Sequence, residues 1–302
     1  MKIKQNNLPI FIGHKCNYSC TNCSVGSDFV KHYDNDPVLE DILQSIPVLA
    51  EKFTVTSMIS LVGGEPFMYW DEKIVPLAKE LNHWFPGTRI NVYTNGHLIG
   101  KNIEKIFYLI DQIKNISFTV SRHLSGNLDS APGRAWTSSV DTLLNHPEIV
   151  RIHDDHYHVK NNINANIYFY TTKYWKSHYV TQPDGKIKPH ATGNPSDSMR
   201  HGCIGPTCSF LHGTKLYKCG RLATISAQLK ESDQLNDPDW KKYLEYQSID
   251  LLNIDKSLFD NFIETYGKPI DLCDMCNGTT SEVEWRDRTW EMVFRPNKLP
   301  NL

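Results

Sequence analysis

Three cysteines stand close together near the start of the chain, in the run Cys16-Asn-Tyr-Ser-Cys20-Thr-Asn-Cys23. The CxxxCxxC spacing puts three thiolates on one short loop. Cubane [4Fe–4S] clusters are held by cysteine thiolates, and four of them complete the coordination. A three-thiolate loop leaves one iron open to a small chelating molecule, so the cluster can act as a reagent. The competing reading is a structural zinc site, which takes four tetrahedral N/S ligands; His14 would supply the fourth.

A second motif, Gly63-Gly64-Glu65-Pro66, follows the next predicted strand. CxxxCxxC after one strand with GGEP after the next resembles the radical S-adenosylmethionine (radical SAM) superfamily. The resemblance covers roughly residues 8–125 by motif and residues 200–278 through a second set of cysteines. It implies a [4Fe–4S] cluster on Cys16, Cys20 and Cys23 whose open iron binds S-adenosylmethionine. It also implies a one-electron reductant of the flavodoxin or ferredoxin type, and a 5′-deoxyadenosyl radical that takes a hydrogen atom from substrate. Glu65 would accept the methionine ammonium, and Gly63 and Gly64 would let the ligand approach the backbone, with Pro66 completing the motif. Ser121 stands where the family often places a ribose contact; the alternative is a plain strand-end hydroxyl. Asn95 and Gly96 end a strand close by, as a cofactor contact or as a turn. One departure is Asn22, where the family usually has an aromatic residue.

Five cysteines remain: Cys203, Cys208, Cys219, Cys273 and Cys276. One follows a connector, two flank a predicted hairpin, and Cys273-x-x-Cys276 lies far downstream. This layout resembles the twitch subdomain of the same superfamily, which holds an auxiliary [4Fe–4S] cluster. The resemblance implies Cys203, Cys219, Cys273 and Cys276 as ligands, with Cys208 able to exchange roles with Cys203. Cys208 is otherwise a small packed hydrophobe, or a hydrogen-atom donor that quenches a substrate radical, which would make it catalytic. Four cysteines in two groups also suit a zinc ribbon, so iron–sulfur and zinc stay open at this second site. Only the iron–sulfur cluster would have a redox role.

The elements that must position these groups follow from hydrophobic periodicity. Residues 9–13 form a short apolar strand leading into the cysteine loop. Leu39, Ile42, Leu43, Ile46, Leu49 and Ala50 make one helix face, which Pro47 should kink or break. Residues 58–62 are a buried strand and 71–85 a helix. A strand at 89–93, a helix at 103–113 and a strand at 116–120 complete four strand–helix alternations. Such alternation means parallel strands with crossover helices, and functional groups gather at the carboxyl ends of such strands. Every motif so far sits at such an end. Residues 136–144 predict a further helix, and 149–152 and 163–170 a fifth and sixth strand. The stretch 181–202 reads as a connector, 209–217 as a hairpin turning near Gly213, and 238–246, 257–266 and 281–293 as helical patches. His153, Asp154, Asp155, His156 and His158 read as a solvated loop, and Arg122 as a carboxylate or phosphate clamp or a structural ion-pair partner.

The expected fold class is α/β: a partial (β/α)6 TIM-like barrel over residues 1–180, followed by a small α+β cluster-binding lobe over 181–302. The chain has 302 residues, 40% hydrophobic and 22% charged, enough for one large domain and a small one. A formal net charge of −2 gives no broad field toward nucleic acid. No apolar run is long enough to span a bilayer, and the polar residues 1–7 lack a signal peptide's apolar core. Eight cysteines without an export signal point to a reducing, cytoplasmic setting. The expected substrate is a small metabolite, because the first strand starts within the first ten residues and leaves no space for a peptide-recognition domain. The alternatives are maturation of a ribosomal peptide, or a zinc-stabilised binding protein without catalysis.

Overall fold

The computed structural model describes residues 2–18, 20, 23–27, 29–122, 131–171, 174–176, 178–203, 209–277 and 282–284. Its centre is a ten-stranded sheet in the order β13-β12-β11-β1-β2-β3-β4-β7-β6-β5. The chain enters through β1 (Ile3–Phe11), α1 (Leu39–Lys52), β2 (Phe53–Val62), α2 (Val75–Trp84), β3 (Arg89–Thr94), α3 (Ile103–Gln112), β4 (Ile116–Arg122) and α4 (Ala131–Leu144). The strands β1, β2, β3 and β4 run parallel, as crossover helices require. Their apolar positions are packed away from water: Leu8, Ile10, Ile59, Leu61, Ile90, Val92, Ile116 and Val120 are fully buried, and the polar Gln5, Ser60, Asn91 and Ser117 are buried among them.

Pro47 lies inside α1 without breaking it. Ile42, Ser45, Ile46 and Leu49 are buried on the helix's inner face, and that burial holds the helix together where one backbone hydrogen bond is missing. The expected helix at 71–85 begins instead as a 3₁₀ turn (Pro66–Tyr69) and a π turn (Trp70–Ile74), with the α-helix proper at Val75.

The far edge differs from the simple alternation. β5 (Ile149–His153), β6 (His156–Val159) and β7 (Asn162–Thr171) form an antiparallel meander, in which only β7 continues the parallel set beside β4. The His153–His158 segment is therefore a tight hairpin and not a loop. His156 stacks on Tyr168 at 4.6 Å and meets Asn166 Oδ1 at 2.8 Å. Asp154 and Asp155 are the hairpin's exposed turn, as a solvated loop would be, whereas His153, His156 and His158 lie on its strands, where histidine carries little strand signal.

Beyond these lie two short ribbons, β8 (Tyr174–Lys176) with β14 (Glu282–Glu284) and β9 (Val180–Thr181) with β10 (Ile187–Lys188), and a single turn, α5 (Pro195–Asp197). Residues 282–284 are thus a strand where a helix was expected; the rest of 281–293 lies outside the described residues. The predicted hairpin is β11 (Phe210–His212) and β12 (Lys215–Tyr217), turning at Gly213 with φ +61°. β11 lies parallel against β1, with Ile10 opposite Leu211 and Phe11 opposite His212. The C-terminal hairpin is hydrogen-bonded into the barrel sheet, and six strands in all run parallel: β11, β1, β2, β3, β4 and β7. After it come α6 (Gly220–Glu231), α7 (Lys241–Leu244), β13 (Ile249–Asp250) and α8 (Lys256–Thr265). Trp240, Tyr243, Ile225, Leu229 and Met275 form a second small core around α6. Among the described residues, no helix is long and apolar enough to cross a membrane.

Candidate active site

The first cysteine loop leaves the carboxyl end of β1, and the GGEP turn leaves that of β2 beside it. The two are joined through backbone: Gly64 N–H donates to Gly13 O at 2.9 Å and Glu65 N–H to Lys15 O at 2.7 Å. This contact dictates the glycines. A Cβ on Gly63 would stand 2.5 Å from Gly13 O, and one on Gly64 would stand 2.3 Å from Lys15 O. On the side a Cβ would occupy, the backbone of the cysteine loop itself approaches both glycines.

Glu65 is fully buried. Its Oε1 accepts from Phe67 N–H (3.0 Å) and Thr94 Oγ1 (2.7 Å), and its Oε2 from Asn95 N–H (2.7 Å). Burial pushes this carboxyl up to about 7, while those donors pull it back. A carboxyl poised there suits a site where a cation arrives beside it.

Asn95 is more than a turn. It is buried, and its side-chain amide donates to Asn17 Oδ1 at 2.7 Å and points at Cys16 Sγ at 3.9 Å. Trp136 Nε1 donates to its carbonyl at 2.8 Å. Gly96, at φ +83°, fits under the Trp136 ring, where a Cβ would come within 2.7 Å of Nε1. Tyr18 N–H also faces Cys16 Sγ at 3.3 Å. Two N–H groups aimed at one sulfur are what a metal-bound thiolate accepts. The Tyr18 phenol is raised by burial and then by the charges of Cys20, Glu65 and Cys16, which places these groups within one another's field.

The loop is anchored at its other end by Asp36. Its Oδ1 meets the His14 backbone N–H (2.8 Å) and ring Nδ1 (2.7 Å), and its Oδ2 accepts from Tyr69 Oη at 2.6 Å. Tyr69 Oη in turn accepts from Lys15 N–H at 2.6 Å. Burial works against the Asp36 carboxylate, but the hydrogen bonds from His14 and Tyr69 outweigh it and hold its pKa below the ordinary value.

The structure brings the remaining predicted residues together unequally. Pro66 is buried at the start of the 3₁₀ turn. Ser121 lies half-buried at the end of β4, one position beyond Val120, which pairs with Thr94. Arg122 stands opposite Thr171 in the β4–β7 register. Cys208 and Asn22 lie outside the described residues.

In the second set, Cys219 is the N-cap of α6, and Cys273 lies within a 3₁₀ turn (Asp271–Met275) that Cys276 caps. Burial pushes the Cys219 thiol up to about 11; the N–H groups of Leu222 and Arg221 oppose this, and the charges of Cys203 and Cys273 add to it. Burial and the neighbouring thiolates of Cys219, Cys203 and Cys273 also raise Cys276, against the pull of Arg221. His178 Nδ1 lies 3.4 Å from Cys276 Sγ. No disulfide joins the seven described cysteines. Among the described residues no three of His, Cys, Asp and Glu close on a metal-binding point. By donor chemistry both sets fit a thiolate-held metal group: clustered, largely buried thiols, with N–H groups directed at sulfur.

A cavity of about 410 Å³ opens between residues 34–38, the β11–β12 turn and α6, lined by Asp34, Asp41, Lys215 and Lys230 among others. None of the cysteines lines it.

Several of these residues carried no sequence signal. Asn17 and Tyr18 sit inside the cysteine motif at positions that its spacing leaves unspecified, and Thr94 is the last residue of β3. Asp36 is remote from the motif in the chain and is identified only by the fold.

Fold and site together define an α/β enzyme with its chemistry at the carboxyl ends of parallel strands, around a cysteine loop. Residues 10–131, which carry the cysteine loop and the GGEP turn, match the model of the Radical SAM superfamily. Among curated proteins none matches the chain significantly. Solved structures similar to it include BtrN in complex with AdoMet and 2-DOIA, at 13% identity and a TM-score of 0.45 over 94% of this chain and 97% of that one. Another is anSMEcpe with bound AdoMet and the Cp18Cys peptide, at 12% identity and a TM-score of 0.42 over 97% of this chain and 98% of that one.

Proposed function

We propose that this enzyme abstracts a hydrogen atom from an unactivated C–H bond of a small organic metabolite, and that its second cysteine set holds an auxiliary [4Fe–4S] cluster that directs the outcome toward oxidation. The first cluster and S-adenosylmethionine supply the 5′-deoxyadenosyl radical. The chain's residues do the positioning. Cys16, Cys20 and Cys23 would hold the first cluster, which when bound would supply the metal site for the methionine amino and carboxylate groups. Glu65 receives the ammonium, and Thr94 and Asn95 fix the carboxylate that does so. Asn17 and Asn95 orient Cys16. Holding the sulfonium beside the metal in this way converts an improbable encounter into an intramolecular one.

The single observation that supports this reading is the buried Glu65–Asn95–Cys16 linkage, which ties the GGEP turn, the end of β3 and the cysteine loop into one rigid unit. For the second set the support is that Cys203, Cys219, Cys273 and Cys276 lie within one another's electrostatic field near the start of α6.

The test is anaerobic reconstitution of the full chain. About eight irons per chain and dithionite-dependent cleavage of S-adenosylmethionine are expected, with cleavage abolished in Cys20→Ala. Zinc in a colourless protein, or undiminished cleavage in that variant, would overturn the reading. Deuterium exchange from candidate sugars, aminoglycoside-like compounds and nucleotide-derived molecules, run beside a panel of peptides, decides the substrate class. Label entering only peptides would reject the small-metabolite proposal.

A further inference from the structure

The two cysteine sets sit in opposite electrostatic surroundings. At the first, the buried Glu65 carboxylate shares the field of Cys16 and Cys20. The nearest cations there are already answered: Lys15 Nζ lies 3.9 Å from Glu72, and the buried Lys73 lies in the field of Asp36 and Glu72 and donates to Ile12 O and Pro37 O.

At the second set the balance is reversed. Arg221 is 4% exposed on the first turn of α6. Its guanidinium lies 4.8 Å over the Tyr179 ring, and its Nη1 donates to Ser24 O at 3.0 Å, just past Cys23. With the Gln228 amide turned to face it, Nη1 also donates to Gln228 at 2.7 Å. Two of its nitrogens, Nε and Nη2, are buried with no hydrogen-bond partner. Its charge is felt at Cys276.

Lys218 is half-buried. Its Nζ donates to Thr265 O. Cys219 is the N-cap of the twelve-residue α6, which adds the positive end of a helix dipole. Asp274, a buried carboxylate next to Cys273 in the chain, is already engaged by Lys242 Nζ (2.6 Å) and Tyr243 Oη (2.9 Å). Among the described residues no carboxylate pairs with Arg221 or Lys218.

A buried guanidinium without a counter-anion is costly unless something negative belongs beside it. Four thiolates holding a cluster are that negative group. We propose that Arg221, supported by Lys218 and the start of α6, is an electrostatic positioning residue that gives a cluster on Cys203, Cys219, Cys273 and Cys276 a higher reduction potential than a cluster on Cys16, Cys20 and Cys23. A cluster's potential follows its net charge, the hydrogen bonds to its sulfurs and its exposure. A fixed cation favours the reduced, more negative form, and an adjacent carboxylate disfavours it. The contrast suits the first site to delivering an electron and the second to receiving one. This rests on the auxiliary-cluster reading above.

Redox titration of the reconstituted full chain, followed by electron paramagnetic resonance, reads both potentials. A variant with Cys16, Cys20 and Cys23 all changed to alanine isolates the second signal. The second cluster should titrate above the first. In Arg221→Gln its potential should shift downward, in Arg221→Lys most of that shift should be recovered, and the first cluster's potential should move less than the second's. Recovery by lysine separates a charge effect from loss of packing. If Arg221→Gln fails to load its second cluster, Lys218→Met carries the same test: a downward shift supports the inference and an unmoved potential overturns it. A second potential at or below the first also overturns it. Zinc in place of iron at the second set overturns the functional reading itself, and this inference with it.

Discussion

At the scale of single residues, Glu65 governs the first site. Its folded pKa, at about 7, lies above the ordinary 4.5. The folded metal-free protein therefore keeps a proton that the unfolded chain would release. Its contribution to stability is fully present below about pH 4.5, falls as pH rises through 7, and then levels off. Denaturant unfolding between about pH 5 and 8 should show this decline in the metal-free wild type and a flatter profile in Glu65→Gln. An unchanged slope in the variant would place the titrating group elsewhere. An ammonium beside Glu65 favours its carboxylate, so affinity for S-adenosylmethionine should rise with pH over the same window. Glu65 was legible in the sequence because its motif follows a strand. Asn95 was legible only as a cofactor contact or a turn, and Thr94 not at all, because strand-end Thr-Asn-Gly is also what an ordinary turn looks like.

At the scale of elements, the cysteine loop is held by what lies beneath it. Gly64→Ala would drive a methyl into Lys15 O, 2.3 Å away, and both atoms are on backbone with little room to move. The sheet should survive, since Gly64 lies past the end of β2, but the loop should be displaced. Iron content should drop from about eight toward about four per chain, with far-ultraviolet circular dichroism near wild type. Full iron loading would contradict the steric argument. Asp36→Ala acts from the other side. It strands the His14 ring, the His14 N–H and the Tyr69 hydroxyl, all in largely buried surroundings. Breaking such a network costs about 3 kcal/mol, and urea unfolding would measure it. Strand and helix alternation was readable along β1 to β4 because each of those strands carries a short apolar run and each intervening helix an apolar stripe. β5 was readable for the same reason; its hairpin partner β6 was not, because an exposed edge strand rich in histidine lacks that run.

At the scale of the whole molecule, both cysteine sets are carried by one sheet. β11 lies against β1, and the first loop leaves the end of β1 while Cys219 follows β12. Ser209 Oγ donates to Gln5 Oε1 at 2.7 Å, the Phe11 and His212 rings stack at 5.1 Å, and Ser45 of α1 reaches Gly213 O at 3.3 Å. The sequence divides the chain near residue 180 by composition, but pairing between residues two hundred apart leaves no local trace. The pairing has a practical consequence for anyone who cuts the chain there. A fragment ending at residue 180 would leave the outer margin of β1 without its hydrogen-bonding neighbour and bare the Phe11 ring to water. Unsatisfied strand margins of this kind recruit other chains, so the shortened product should accumulate in inclusion bodies, whereas full-length material stays dispersed. Recovery of the fragment as a dispersed monomer would show that the first half closes its own boundary.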